Sequence, residues 1–276
     1  MLETRKTKII ATLGPASDSE ETLEKMINAG MDVARLNFSH GTHESMKVLA
    51  DTDKRVRARM GRYTALLLDT KGPEIRLGDF DGPATLERGQ EYRLLFDDSI
   101  GNSKSTSVTY KDLWRDVAVD SHILIDDGLV ELKVNETSRD GIVCTVLNGG
   151  VISSHKGVNV PGAKLNIPFL SDKDVSDIEF GIREDFDFIA ASFTQCAADI
   201  EKIRTLLERN GGGDIRIIAK IENSAGVENI DEIIKVSDAI MVARGDMGVE
   251  IPMEEIPIIQ KSRRQAVLGR QGREST

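Results

Sequence analysis

One rhythm constrains this chain more than any other feature. Short apolar runs alternate with amphipathic stretches, and the apolar runs close on polar residues. "TKIIATLG" reads as a strand, "DSEETLEKMINAG" as a helix with an acidic first turn and Gly30 as its stop, and "MDVARLNFSHG" as a second strand. "THESMKVLADTDKRVRARMG" reads as a second helix ended by Gly61, and "YTALLLDTKGPEIR" as a third strand. Parallel strands need a long crossover between them, so this alternation predicts a parallel sheet. The rhythm breaks between about Gly72 and Pro168, where pieces such as "QEYRLLF", "HILIDDGLVELKV" and "GIVCTVLNGGVI" predict antiparallel strands with tight turns. It then resumes with a capped helix at "SDKDVSDIEFGIRE", strands at "FDFIAASF", "IRIIAKIEN" and "DAIMVARGDMG", and helices between them.

The totals exclude several function classes. Against 36 bases stand 46 acids, a formal net charge of −10, so a general nucleic-acid or membrane-surface binder is not expected; phosphates would be repelled at long range. No apolar run approaches the roughly 20 residues of a membrane helix, and "MLETRKTKII" has no signal-peptide core. Cys144 and Cys196 form no CxxC, which fits a reduced, cytoplasmic chain.

Buried parallel strands should be apolar on both faces, so their polar tips carry information. Those tips are Arg35, Asn37 and Ser39, then Asp69, Ser192, Lys220 with Glu222, and Asp246, all on the C-terminal side. In βα-barrels that end holds the active site. Lys220 and Glu222 share a strand face by period-two geometry. They read either as a structural salt bridge or, with Asp246, as a lysine beside two carboxylates that hold a hard divalent cation such as Mg²⁺. Arg35 reads as a phosphate clamp or an interface arginine. Asn37, Ser39, Asp69 and Thr70 offer oxygens for a monovalent cation, a weak signal by spacing alone. Gly245 and Gly248 flank Asp246 and suit either a ligand's close approach or an ordinary turn. His122 and His155 look isolated, His43 solvated at a helix start, Trp114 a packing residue, and "DKRVRARMGR" the solvated face of the second helix.

In order and register, "KTKIIATLGPAS", "GMDVARLNFSHGTHE", "LLLDTKGPEIR", "KGVNVPG", "ASFTQCAADI", "IIAKIEN" and "MVARGDMGVEIP" resemble pyruvate kinase over about residues 5–261. The resemblance implies an α/β fold: an incomplete (β/α)8 TIM barrel with an inserted all-β lid domain after the third strand. Residues 1–70 and 168–261 would form the barrel, 71–167 the lid, and 262–276 a tail that does not match. It implies phosphoryl transfer from phosphoenolpyruvate to ADP, giving pyruvate and ATP in glycolysis, with Mg²⁺ and K⁺. Lys220 and Arg35 would be catalytic, with Gly245 and Asp246 also on the substrate. Glu222 and Asp246 would hold Mg²⁺, and Asn37, Ser39, Asp69 and Thr70 would hold K⁺. Glu74 resembles the glutamate of K⁺-dependent members. Asn37, His40, Arg76 and Lys156 would lie on the nucleotide side.

The resemblance stops near Lys261, before the family's seventh and eighth strands, its C-terminal domain and the threonine implicated in protonating the enolate. Removing the 97 residues of 71–167 leaves 276 − 97 = 179, against about 200 or more for a complete barrel. A truncated reading, from a frameshift near codon 262, is the expectation, with doubtful activity and open edges on strands one and six. Full-length relatives are homotetramers. The competing expectations are a Mg²⁺-dependent lyase or aldolase acting on a pyruvate enolate, and a non-catalytic ligand-binding remnant.

Overall fold

The computed structural model describes residues 6–261. The tail read as unrelated, 262–276, lies outside them. Two compact units are present among the described residues: one comprises residues 6–72, 169–221 and 229–241, the other 73–168, 222–228 and 242–261.

The first unit opens with β1 (Ile10–Thr12), α1 (Glu20–Ala29), β2 (Val33–Asn37), α2 (His43–Met60) and β3 (Ala65–Asp69). Local chemistry sets the helix ends. Ser19 caps α1 by accepting from the Thr22 N–H, and Gly30 ends it at φ 110°, where a side chain would be strained. Thr42 and Ser45 form a reciprocal capping box at the start of α2, and Gly61 closes it at φ 60°.

The second unit contains β4 (Ile75–Arg76), β5 (Ala84–Leu86), β6 (Glu91–Leu95), β7 (Ser105–Ser107), α3 (Leu113–Asp116), β8 (His122–Ile125), β9 (Val130–Ser138), β10 (Gly141–Val146), β11 (Gly150–Ile152) and β12 (Gly157–Asn159). Seven of these strands form one sheet in the order β4-β12-β8-β9-β10-β6-β7, and β11 pairs with β5. The β6–β7 pair is parallel, an exception to the antiparallel pattern expected from the sequence. Alternating residues of β6, β8, β9 and β10 bury Tyr92, Leu94, Ile123, Leu132, Val134, Ile142 and Cys144 in its core.

The chain then forms α4 (Asp172–Arg183), β13 (Phe188–Ala191), α5 (Ala197–Arg209), β14 (Arg216–Ile221), α6 (Ser224–Glu228), α7 (Ile230–Val236), β15 (Ala239–Val242) and α8 (Arg244–Glu250). The six-stranded sheet runs β1-β2-β3-β13-β14-β15, and β1 and β15 end that order among the described residues. The pairs β1–β2, β2–β3, β3–β13 and β13–β14 are parallel. This is the α/β architecture of an incomplete (β/α)8 barrel. No helix among the described residues is long and apolar enough to cross a membrane.

Three expectations need correction. Asp246 is not on a strand tip: β15 ends at Val242, and Asp246 lies in the first turn of α8. The stretch read as the solvated face of the second helix buries Asp53 and Val56 completely, because both fall on its inward stripe. His43 is not simply solvated. Its ring stacks on Phe180 at 4.5 Å, and its Nε2 lies 2.7 Å from Oδ1 of the buried Asp177.

Candidate functional site

Register brings the polar tips of the six-stranded sheet together. Thr12 pairs with Arg35, Asn37 with Asp69, and Asp69 with Ala190. Ala191 pairs with Ala219, so the next residues, Ser192 and Lys220, leave adjacent strands at the same level. Parallel pairing with unslipped register thus delivers six polar side chains to one end of the sheet.

Asp69 is the hub of this group and is 1% exposed. Its Oδ2 accepts from Arg35 Nε at 2.7 Å and also from Arg35 Nη2. Its Oδ1 lies 3.1 Å from Lys220 Nζ and accepts from Ser192 Oγ at 3.1 Å. Lys220 Nζ also donates to Ser192 Oγ at 2.8 Å. Arg35 reaches across to Thr12 Oγ1 at 2.8 Å through Nη1. Thr70 completes the layer: its hydroxyl accepts from the Ser192 N–H at 3.1 Å and donates to the Ala190 carbonyl.

Two cations, Arg35 and Lys220, share the one buried carboxylate of Asp69. The Arg35 side chain keeps 29% of its surface, while Lys220 keeps 9%. An anionic oxygen approaching the partly exposed guanidinium would meet planar N–H donors already oriented by Asp69 and Thr12.

The other sequence candidates are placed as follows. Asn37 Oδ1 accepts from the Ser39 N–H at 3.0 Å, closing a tight local turn. Of the four residues read as monovalent-cation ligands, Asn37 and Asp69 are register partners. The Asp69 oxygens already serve Arg35, Lys220 and Ser192, so a cation there would share them. His40 is exposed. Glu222, the first residue after β14, is 2% exposed. Gly245 and Asp246 are exposed in α8. Burial pushes the Glu250 carboxyl up from its ordinary value, against the Ser224 N–H and Asn159, which favour the charged form.

In the second unit, Arg76 is held by Glu74 through two parallel bonds of 2.8 Å and donates to the His155 carbonyl at 2.7 Å. The Glu74 bonds hold the guanidinium above its ordinary pKa. Lys156 Nζ donates to Asp126 Oδ1 at 3.0 Å. The histidines that looked isolated are paired at the surface, His122 with Glu131 and His155 with Asp79.

Among the described residues no group of three or more His, Cys, Asp or Glu is arranged to hold a metal. Two carboxylates, completed by waters and a ligand, are nevertheless a normal Mg²⁺ donor set. The hard oxygens of Glu222 and Asp246 fit that chemistry.

Sequence reasoning gave no role to Ser192 or Thr12, although Ser192 stood among the polar tips. The available signal was its place at the end of "FIAAS", one residue beyond an all-apolar strand.

The chain matches the family model for pyruvate kinase, barrel domain, over residues 4–270, beyond the point where the recognisable motifs stop. It is 54% identical to a pyruvate kinase of Staphylococcus haemolyticus over 260 residues, covering 93% of this chain and 44% of that protein. Pyruvate kinases of Staphylococcus epidermidis and Staphylococcus aureus match at 53% and 51% with the same coverage. The chain thus spans less than half the length of these relatives.

Proposed function

Because the chain belongs to the pyruvate kinase family, we propose that its strand tips form the phosphate-holding part of a centre that moves a phosphoryl group from phosphoenolpyruvate to ADP. The observation that carries this reading is the Arg35–Asp69–Lys220–Ser192 cluster, in which a guanidinium and an ammonium converge on the buried Asp69 at one end of the sheet.

Phosphoryl transfer asks little covalent chemistry of a protein and much alignment and charge neutralisation. The P–O bond to the enol oxygen breaks, a P–O bond to the ADP terminal oxygen forms, and the enolate left behind takes a proton to become pyruvate. Arg35 would grip the phosphate with two parallel donors. Lys220 would follow the charge as it spreads over the phosphoryl oxygens and the enolate. Glu222 and Asp246 would hold Mg²⁺, and Asn37, Ser39, Asp69 and Thr70 would hold K⁺; bound there, the cations supply further positive charge to the reacting oxygens. Gly245 would offer its backbone N–H to the substrate carboxylate. His40, Arg76 and Lys156, with Asn37, would serve the nucleotide, and residues 71–167 would act as a lid that keeps water from the phosphoryl group. The setting would be cytoplasmic glycolysis.

The test is calorimetry of phosphoenolpyruvate with Mg²⁺ on the purified chain, beside a coupled assay containing ADP, Mg²⁺ and K⁺. Binding that weakens at least about tenfold in Arg35→Ala and in Lys220→Ala supports the reading, since each change removes a charge-assisted bond. Binding that both variants leave intact refutes it.

A further inference from the structure

We propose that Ser192 is the positioning residue of this centre: its hydroxyl fixes the Lys220 ammonium against Asp69, and the turn that carries it exists to hold that hydroxyl in place. The proposal rests on the reading of Lys220 as the cation that meets the phosphoryl group.

A serine hydroxyl has one proton to give and lone pairs to receive with. Here both capacities are used on charged partners. Ser192 Oγ donates to Asp69 Oδ1 at 3.1 Å and accepts from Lys220 Nζ at 2.8 Å, with the serine 2% exposed. Lysine ends a flexible four-carbon stem, so its charge goes where its acceptors put it. The Ser192 Oγ link is shorter than either link from Lys220 to Asp69, at 3.1 and 3.4 Å.

The backbone around Ser192 is more tightly determined than a loop requires. Its N–H donates to Thr70 Oγ1 at 3.1 Å. Phe193, which follows, has φ 55°, a conformation L side chains rarely adopt. Thr194 turns its hydroxyl back onto the Ala191 carbonyl at 2.9 Å. Gly72, at φ 69°, passes so close that a Cβ would stand 2.8 Å from the Ser192 carbonyl oxygen and 3.0 Å from its Cβ. A strained residue beside a bare glycine persists only where surrounding contacts over-determine it, and such places cluster at functional sites. What these contacts jointly fix is the direction of one hydroxyl.

The experiment reads the lysine directly and needs no turnover. The intact chain, Ser192→Ala and Ser192→Thr are labelled with an amine-reactive reagent at one fixed pH, and the rate at Lys220 is followed by peptide mass spectrometry. Losing a hydrogen bond to a charged group should free the side chain and raise the Lys220 rate about tenfold in Ser192→Ala. Ser192→Thr, which keeps the hydroxyl, should return toward the parent rate. Lys173 and Lys202 serve as controls and should not change, nor should the melting temperature move far. An unchanged Lys220 rate in Ser192→Ala overturns the proposal, and so does a rise shared by all three lysines, which would mean general loosening. If Ser192→Thr does not fold, the Ser192→Ala comparison decides alone. Repeating the labelling with phosphoenolpyruvate and Mg²⁺ separates the two readings. Absence of protection at Lys220 in the parent chain counts against the proposed function, while the ligand-free comparison still decides the role of Ser192.

Discussion

Asp53 makes the stability of this protein depend on pH, with a sign opposite to that of a paired carboxylate. It lies on the inward stripe of α2 at 0% exposure, and among the described residues neither of its oxygens has a hydrogen-bond partner. Burial pushes its carboxyl from the ordinary 3.8 up to about 6; Arg57 pulls the other way and Asp187 adds to the rise. The native state therefore holds a proton that the unfolded chain has already released between these two values. Stability is full below pH 3.8, falls as pH rises toward 6, and is flat above. At 1.36 kcal/mol per pH unit the gap is worth about 3 kcal/mol, of which about 1.4 kcal/mol falls between pH 5 and pH 8. Asp53→Asn removes the titration and keeps the shape. The buried amide is itself unfavourable, so the informative quantity is the slope and not the absolute stability. Urea unfolding of both proteins at pH 5 and pH 8 should show the parent losing about 1.4 kcal/mol relative to the variant. Equal losses would refute the reasoning, because they would mean that Asp53 is solvated or paired in solution.

Two further outcomes are expected. Asp69→Ala should destabilise the fold by about 3–5 kcal/mol in urea melts, since it removes the buried carboxylate that Arg35 and Lys220 share; a loss under about 1 kcal/mol would show that water reaches the cluster. Gly72→Ala should cost about 1–3 kcal/mol, from a positive φ and from the approach of its Cβ to Ser192, with circular dichroism melts as the measure and an unchanged melting temperature as the contrary result.

The order of strands and helices could be read from the chain because its signals are local. Gly30 and Gly61 stop helices through their own dihedrals, and Thr42 with Ser45 starts one through side chains three residues apart. The errors came where the deciding partner is distant in sequence. The basic neighbours Lys54, Arg55 and Arg57 make the stretch that holds Asp53 read as a solvated face, yet Lys54 donates to the Glu184 carbonyl at 2.6 Å and Arg57 binds the Thr64 carbonyl. "DAIMVARGDMG" reads as one strand with Asp246 at its tip, but the chain enters α8 two residues after Val242.

The site shows the same division more sharply. A period of two says that Lys220 and Glu222 share a face, and it invites pairing them with each other. It cannot say which neighbouring strand supplies the acceptors. That is set by the register of β13 on β3 and of β14 on β13, which puts Asp69 and Ser192 beside Lys220 although 151 and 28 residues separate them from it. The Lys220 ammonium accordingly meets Asp69 and Ser192. Asp69 changes meaning with them. The sequence resemblance makes it a ligand for a monovalent cation, whereas the geometry makes it first the counterion shared by a partly exposed guanidinium and a buried ammonium. The two roles are compatible only if the carboxylate is shared, and in that case any cation bound at Asp69 would compete with Arg35 and Lys220 for the same two oxygens.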